Sequence, residues 1–454
     1  MLASGLAATA APAWAQGFQV NEHGTCVMGR GGAGVALACP DGSGIFYNPS
    51  GILARQGWTI SAGVTVIDAF GGFTDDLTGT TTDLENNPVP VPHAFVTYGR
   101  DRWAAAVGMF VPYGLGTEWP NTFAGRFAGY DNNLSNIYIQ PTFAYRIHPR
   151  VSVGAGLDIV WGKVTLTQRV DLAEQAVPNP SLPAGTTFGM LGIPSGTDFA
   201  DGQLNGTGTG FGGHLGLTVQ LHPRVSFGAK YLFRVPMDFE GDVDFEPAST
   251  GIILPEGNPF GVPAGTPLDS LVAGAFIAGP LLDQNVTASV TMPDQLTAGL
   301  AFQVTPALSI LADYNWVNWS IFDTLPVDFE TSPQLNSRTV ENYEDTHGVR
   351  LGFDWAATAR LAVRGGYIYH TAAAPAETVT PLLPEGKRNE FTVGLGYEFS
   401  RLFRADLAYQ YLLQQNRRGR VREFPSGVEP DLSLNNGLYE FKAHLLAVTL
   451  TAGF

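Results

Sequence analysis

Apolar and polar residues alternate with a period of two along most of the chain beyond Trp58. In the clearest segment one face is apolar throughout and carries Val151, Val153, Ala155, Leu157, Ile159 and Trp161. The opposite face carries small or polar residues, Ser152, Gly154, Gly156 and Asp158. This alternation predicts β-strands, because successive side chains of a strand point to opposite faces. The segments are about nine to twelve residues long or longer, which is enough for a tilted strand to cross a bilayer.

Fourteen alternating segments follow one another along the chain. Their approximate ranges are 58–70, 93–99, 102–113, 136–148, 151–170, 208–222, 225–239, 285–304, 307–319, 346–357, 360–371, 388–400, 403–416 and 439–454. Short turns and long loops alternate between them, as in outer-membrane barrels with short periplasmic turns and long outer loops. We predict an all-β fold, a fourteen-stranded antiparallel transmembrane β-barrel in the outer membrane, with both termini in the periplasm.

The segment from Gly17 to Gly51 has neither a helical nor a strand period. It is rich in glycine but too apolar for a solvated tail, with Phe18, Val20, Val27, Met28, Val35, Leu37, Ile45 and Phe46. Such a segment needs a container in which to pack. We expect residues 17–57 to form a plug, or hatch, inside the lumen of a barrel that spans residues 58–454.

Residues 1–16 read MLASGLAATAAPAWAQ and end in the small-x-small cleavage pattern Ala13-Trp14-Ala15. We expect a signal peptide with a truncated or mis-assigned basic n-region, cleaved before Gln16 or Gly17. Such a peptide directs export across the inner membrane.

Composition supports a membrane barrel. Only 15% of the residues are charged, against roughly 25% in soluble proteins. No apolar run reaches the length of about 20 residues that a transmembrane helix needs. The net charge of −16 argues against nucleic-acid binding. Carboxylates in the predicted loops, such as Asp75, Asp76, Asp83 and Glu85, are expected to be solvated; the alternative is that they hold divalent cations that bridge lipopolysaccharide.

The two cysteines, Cys26 and Cys39, both lie in the predicted hatch. In an oxidising envelope they can form a disulfide. Two free buried thiols are the alternative, and the residues alone favour neither.

Motifs for catalysis are missing from the sequence, which has no G-x-S-x-G, H-E-x-x-H, P-loop or C-x-x-C pattern. His148 and His222 each begin a His-Pro-Arg turn and have no cluster of other metal ligands nearby in sequence. We therefore expect no enzymatic activity, no metal and no cofactor.

The third predicted strand contains Pro112, followed by Tyr113 and Gly114. Proline has no N–H to donate to the ladder, and glycine weakens a strand. The wall could bulge and open sideways at this point, or the strand could simply end at Val111. The residues are compatible with both.

The last strand ends LLAVTLTAGF, with the aromatic Phe454 as the final residue. This ending looks like the signal read by the outer-membrane insertion machinery, which we therefore expect to be a partner, together with outer-membrane lipid and lipopolysaccharide.

Several motifs together resemble the FadL/TodX family of outer-membrane transporters for hydrophobic compounds. In the hatch they are GFQVNE, MGRGGAGVALA and YNPSG, the last with Ser50 where the family has Ala. In the barrel they are YGLGTEWPNTFAGR, LNGTGTGFGGHLGL, FRVPMDFEG, MPDQLTAGL, NWVNWSIFDTL and THGVRLGF. Their order and spacing carry the resemblance over the whole mature chain.

The resemblance implies a barrel that captures ligand among its outer loops, passes it to a pocket beside the hatch and releases it sideways through a kink in the third strand, without an energy source. Substrate-contacting positions would be Phe18, Leu115, Trp119 and Phe123, with Arg169 near the family's arginine position. The lateral gate would be Pro112, Tyr113 and Gly114. In the hatch turn the resemblance points to Asn48 and Pro49.

One departure from the family concerns the substrate's carboxylate. Where fatty-acid members have a lysine, this chain reads Leu325-Pro326-Val327. Long-chain fatty acids and uncharged hydrocarbons are therefore both expected substrates of a monomeric, passive transporter. The alternatives are a general diffusion porin for small polar solutes, which needs an open lumen, and a structural or adhesive barrel, which leaves the Pro112 break unexplained.

Overall fold

A computed structural model describes residues 17–177, 182–279 and 281–454. The expected signal peptide, residues 1–16, lies outside the described residues. Within the described ranges, no helix is both long and apolar enough to span a membrane.

Fourteen antiparallel strands close into a barrel. They are β1 (Gly57–Asp75), β2 (Val89–Arg100), β3 (Trp103–Glu118), β4 (Asp131–His148), β5 (Val151–Asp171), β6 (Asp198–His222), β7 (Val225–Leu232, continued by Val235–Pro247), β8 (Gln284–Met292, continued by Gln295–Thr305), β9 (Leu308–Val317), β10 (Thr346–Ala356), β11 (Leu361–His370), β12 (Arg388–Glu398), β13 (Phe403–Gln414) and β14 (Gly437–Gly453). Each strand pairs with the next. β14 pairs with β1, from Gly453 opposite Thr59 to Gly437 opposite Asp75, and this pairing closes the barrel.

Short strands, short α-helices and 3₁₀ turns lie outside the fourteen barrel strands. Among the described residues, four short strands lie between the barrel strands, at Thr81–Asp83, Thr324–Phe329, Ser337–Val340 and Arg417–Gly419. Short α-helices lie at Thr25–Met28, Gly44–Tyr47, Leu268–Val272 and Ala275–Ala278, and 3₁₀ turns at Pro49–Ala54, Leu172–Glu174, Gly189–Leu191, Trp319–Ile321, Pro333–Leu335, Ala376–Thr378 and Leu432–Leu434. The barrel strands therefore carry most of the regular structure.

The predicted number and order of strands are confirmed, and the differences are local. β6 begins at Asp198 and not at 208. We missed its first part because small residues there hide the alternation of apolar and polar side chains. β7 and β8, which we predicted as continuous, are interrupted at 233–234 and 293–294. β3 does not end at Val111 but continues through Pro112 to Glu118.

The apolar face of the strands points outward and the polar face points into the lumen, as a membrane barrel requires. On β5, Leu157 is 64% exposed on the outside, while Asp158 is fully buried on the lumen side. Apolar side chains face lipid because the bilayer offers no partner for polar groups, and polar side chains face the lumen. The period of two thus separates the two surfaces of the wall.

Residues 17–56 of the predicted hatch fill the lumen and touch strands from all around the barrel. Gly31 N donates to Thr392 Oγ1 of β12 at 2.9 Å, and Gly34 N donates to Asp313 Oδ2 of β9 at 2.8 Å. The hydroxyls of Thr25 and Thr449 of β14 are hydrogen-bonded at 2.7 Å. The boundary near residue 57 stays a prediction, and β1 begins at Gly57.

Glycines on the wall let the hatch backbone come close. A Cβ at Gly228 of β7 would overlap the carbonyl oxygen of Val35, and one at Gly352 of β10 would overlap that of Arg30. Side chains at these two positions would push the hatch away from the wall.

Cys26 and Cys39 are joined by a disulfide across 13 positions of the hatch. Both residues are buried. The bond closes the stretch that carries most of the contacts between the hatch and β9 to β12.

The double substitution Cys26→Ser, Cys39→Ser should loosen this stretch. Closing a loop of this length contributes about 3 kcal/mol, so amide exchange within residues 26–39 should accelerate by about 100-fold. The thermal unfolding temperature should fall as well, because the bond constrains the unfolded chain and the hatch is bonded to the wall. Reductant should reproduce the effect in the wild type and add nothing in the variant. Unchanged exchange in the variant would show that wall contacts alone hold the segment.

Candidate functional site

The wall of the barrel has a window between β2 and β3. Their ladder runs from Arg100 opposite Trp103 only as far as Ala94 opposite Met109. Beyond this point β2 continues to pair with β1 as far as Val89, while β3 pairs with β4, with a register shift between Phe110 and Tyr113. The two strands therefore separate where the bulge bends β3.

The end of the window beside the loop between β1 and β2 is closed again. Glu85 N donates to the carbonyl of Glu118 at 2.8 Å. Asn86 Nδ2 donates to the carbonyl of Gly116 at 3.0 Å, and its Oδ1 accepts from Glu118 N at 2.6 Å. The opening is thus a bounded gap in the wall and not a frayed edge.

On the β2 side, two prolines form the edge of the window. Pro90 and Pro92 lie opposite Val66 and Val64 within an unbroken ladder with β1. A proline cannot occupy a hydrogen-bonded position of a ladder, so Val89, Val91 and His93 must make the bonds to β1. The backbone edges of Pro90 and Pro92 therefore face β3, and neither has an N–H that requires a partner there.

On the β3 side, the hatch replaces the missing strand. Val20 N donates to the carbonyl of Pro112 at 2.9 Å, and Gly114 N donates to the carbonyl of Phe18 at 3.0 Å. Gln19 and Tyr113 form the antiparallel bridge between these bonds. The first residues of the hatch thus act as a short strand that pairs with the bulge.

A cavity of about 340 Å³ lies behind the window. Its walls are mainly apolar and come from the hatch, from the window edges and from strands β1, β4, β12, β13 and β14. Apolar lining residues include Phe18, Val20, Ile67, Val89, Pro90, Val91, Pro92, Val111, Leu115, Leu134, Ile137, Leu383, Leu412, Phe441 and Leu445. A cavity of this kind suits a solute that gains by leaving water.

The lining also contains ionisable residues, namely Glu22, Glu385, Arg388 and Glu390. Gln410 Nε2 donates to both Glu22 Oε1 at 2.9 Å and Glu390 Oε2 at 2.6 Å. Arg388 Nε is buried and has no hydrogen-bond partner among the described residues. The cavity therefore offers carboxylates and one incompletely bonded guanidinium to a ligand.

Glu385 holds the start of the hatch. One of its oxygens accepts from Gly17 N at 2.6 Å, and the other accepts from Ala373 N and Ala374 N at 2.9 Å each. Burial raises the pKa of the Glu385 carboxyl, and these backbone bonds oppose that rise.

Aromatic rings form a second support of the hatch start. The ring of Phe18 lies 4.6 Å from that of Trp319 and 5.9 Å from that of Phe322. Trp319 begins the 3₁₀ turn after β9, which carries both rings to the lumen side. Phe18 is thus held between the end of β9 and the bulge of β3.

The structure brings some of the predicted site residues together and leaves others apart. Phe18, Gly114 and Leu115 line the cavity, and Pro112 and Tyr113 form the bulge beside it. Trp119 and Phe123 stack on each other at 4.4 Å but are not in the lining. Arg169 also lies outside the lining and pairs with Asp201 at 3.1 Å. Their roles in binding stay predictions.

Our interpretation of the sequence missed the prolines of β2 and the ionisable residues of the cavity lining. The spacing in VPVPHAFV, two prolines at alternate positions of a strand pattern, is a signal for an unpaired edge. No local signal brings Glu385 or Arg388 to the start of the hatch, because both lie more than 360 positions after Gly17. No group of three or more potential metal ligands occurs in the part of the chain that the structure describes.

Asn48 anchors the inner part of the hatch. Its Nδ2 donates to the carbonyls of Val35 at 2.6 Å and Leu217 of β6 at 2.9 Å. Its Oδ1 accepts from Ser50 N at 3.1 Å, which caps the 3₁₀ turn Pro49–Ala54. One buried amide thus joins two parts of the hatch to the wall.

Comparison with known proteins gives a consistent result. Residues 6–454 match the family model described as outer membrane protein transport protein (OMPP1/FadL/TodX). The chain is 26% identical over 423 residues to a long-chain fatty acid transport protein of Escherichia coli, covering 90% of each chain. It is 27% identical over 416 residues to a 47 kDa outer membrane protein of Pasteurella multocida, covering 91% of this chain and 90% of that one.

Solved structures share the fold. A FadL homologue of Pseudomonas aeruginosa superposes with a TM-score of 0.79 at 19% identity, covering 97% of this chain and all of that chain. The toluene transporter TodX of Pseudomonas putida superposes with a TM-score of 0.70 at 19% identity, with the same coverage.

Asn48→Ala should loosen the hatch. The substitution leaves buried carbonyls of the hatch and wall without their donor, at a cost of about 1–3 kcal/mol for each unsatisfied group. Amide exchange in the hatch should accelerate, and liposomes that contain the variant should swell in a small sugar faster than those with wild type.

Ser50→Ala is the matched control. It removes a hydroxyl that bonds Asn48 Oδ1 and Thr218 Oγ1 but keeps the Asn48 amide in place. Equal loosening by the two variants would contradict the anchoring role of Asn48.

Proposed function

Because the chain belongs to the outer membrane protein transport family (OMPP1/FadL/TodX), we propose that it carries hydrophobic molecules passively through the outer membrane and releases them sideways between β2 and β3. The protein is an outer-membrane β-barrel. Its substrates on this proposal are long-chain fatty acids or hydrocarbons. Outer loops capture the ligand, the cavity beside the hatch holds it, and the window lets it enter the bilayer.

The observation that carries the proposal is the cavity behind a bounded window. The cavity is lined by residues of both window edges, Pro90 and Pro92 on one side and Val111 and Leu115 on the other. An apolar solute that leaves sideways keeps its surface away from water, a saving of about 25 cal/mol per Å². An exit through the inner end would expose that surface to the aqueous periplasm.

The outer loops supply a separate apolar region in which capture can occur. Buried residues from the segments 172–200 and 254–281 pack together as a second core, namely Leu172, Phe188, Ile193, Phe199, Leu254, Leu268, Val272 and Leu281. Met190 and Ile277 lie on the same loops and are largely exposed. On this proposal, hydrophobic solutes collect first at these loops before they reach the cavity.

On this proposal the substrate is either a fatty acid, which carries a charged carboxylate, or a hydrocarbon, which has no charged group. Arg388 Nε is a buried donor that can donate a hydrogen bond to a carboxylate of the ligand. Glu22, Glu385 and Glu390 line the same cavity, and their carboxylates favour an uncharged ligand. Oleate and toluene are therefore the two probes that separate these cases.

The alternative of a general diffusion porin needs an open lumen. Here the hatch fills the lumen, and side chains such as Cys26, Val27 and Ile45 are completely or almost completely buried. A monomeric state, periplasmic termini, and contacts with lipopolysaccharide and the insertion machinery stay predictions. No enzymatic activity is part of the proposal.

Filling the window should block transport. Leu115→Trp places a larger side chain in the gap, and uptake of labelled oleate or toluene should fall by about tenfold, which corresponds to a barrier higher by ~1.4 kcal/mol. The assay uses Gram-negative cells that lack their own transporter of this family, with the protein level in the outer membrane matched.

Leu77→Trp provides the control, because Leu77 is 92% exposed in the loop after β1. It should transport like wild type. Normal uptake by Leu115→Trp would overturn lateral exit, and a fast flux of small sugars in wild type would favour the porin.

A further inference from the structure

The geometry points to Tyr113 as a positioning residue that holds the window open by tying the bulge of β3 to the far wall of the barrel. This inference rests on the proposed function, because it assigns a role to the window. It concerns a contact across the lumen and not the edges of the window themselves.

The contact joins two strands that are not neighbours. Tyr113 is completely buried, and its hydroxyl donates to the carbonyl of Pro293 at 2.8 Å. The same hydroxyl accepts from Gln295 Nε2 at 2.7 Å. Pro293 lies in the interruption of β8, and Gln295 is the first residue after it. One side chain therefore spans the lumen from β3 to β8.

The interruption of β8 leaves an acceptor for this hydroxyl. β8 pairs with β7 from Gln284 to Met292 and again from Gln295, so Pro293 and Asp294 fall outside both ladders. The carbonyl of Pro293 is thus free to accept from Tyr113, as a buried carbonyl requires.

Asp294 makes this acceptor rigid. Its carboxylate pairs with Arg234 of the β7 interruption at 2.9 Å and accepts from Tyr231 Oη and Asn318 Nδ2 at 3.1 Å each. The backbone of Asn318 also donates to the carbonyl of Asp294 at 3.0 Å. The far end of the Tyr113 contact is therefore fixed to β7 and to the end of β9.

The bulge of β3, which carries Tyr113, needs such a support. At the bulge, β3 has lost β2 as a partner and is paired on that side only with Phe18 to Val20 of the hatch. A strand with a short partner on one side and a register shift on the other is free to bend either way. The hydroxyl bonds of Tyr113 hold the bulge inward, and this keeps β3 away from β2.

A neighbouring tyrosine lacks this contact. Tyr138 of β4 is completely buried, and its ring lies 6.0 Å from that of Tyr113. Its hydroxyl has no hydrogen-bond partner among the described residues. The same Tyr-to-Phe change at the two positions therefore compares a hydroxyl that bridges the lumen with one that bridges nothing.

The test measures uptake and equilibrium binding of oleate and toluene for Tyr113→Phe, Gln295→Met, the double variant and Tyr138→Phe. Tyr113→Phe should lower uptake by about tenfold, while the Kd of the same probe stays within about twofold, because the cavity lining is unchanged. Gln295→Met removes one of the two bonds from the opposite wall and should lower uptake less. The double variant should be no slower than Tyr113→Phe, since both changes remove one shared contact.

Tyr138→Phe should transport like wild type. Normal uptake by Tyr113→Phe, or an equal loss with Tyr138→Phe, would overturn the inference, and so would a Kd that rises in proportion to the loss of uptake. If Tyr113→Phe fails to fold, the comparison of Gln295→Met with Tyr138→Phe decides the question. Blockage by Leu115→Trp together with normal uptake by Tyr113→Phe and Gln295→Met would leave lateral exit standing and remove only the role of Tyr113.

Discussion

A bilayer supplies no hydrogen bonds, so each backbone N–H and C=O at membrane depth needs a partner within the protein. A hole in a barrel wall breaks this rule unless the groups at its edges find partners or are removed, and here three devices achieve this. Pro90 and Pro92 remove the donors on the β2 edge, Phe18 to Val20 pair with the β3 edge, and Asn86 reconnects the strands above the hole. The window is stable because its edges contain few groups that still need a partner.

The hatch and the wall depend on each other for the same reason. The irregular hatch backbone is held by polar side chains that face inward, such as Asp313 and Thr392. In turn Arg30 of the hatch lies 3.5 Å from Asp354 of β10, which also pairs with Arg364 of β11. Buried charge of this kind is tolerable only when it is paired. The start of the hatch is therefore both a plug and a structural part of the gap in the wall.

The barrel was predictable because its signal is local and repeated. Each strand shows the period of two, and fourteen repetitions leave little room for another architecture. The interruption of β7 was missed because Phe233-Arg234 fits the alternating pattern by side-chain type. The interruption of β8 was missed although Pro293 marks it, since proline has no N–H for the ladder. Their break depends on Asp294, whose bonds to Arg234 and Asn318 come from two other strands. A contact between distant strands leaves no signal in any short stretch of the sequence.

The sequence by itself determined the strands, their order, the membrane-facing surface and the segment that fills the lumen, since alternation and composition act residue by residue. It also pointed to Phe18, Leu115 and the Pro112 bulge through the family resemblance. Only the tertiary structure decided that Arg169 pairs with Asp201, that Glu385 bonds the start of the hatch, and that Tyr113 reaches Pro293. It also placed Arg388 in the lining of the same cavity. The physical reason is barrel closure, which brings residues hundreds of positions apart to one cavity by strand register, and register is a property of the whole sheet.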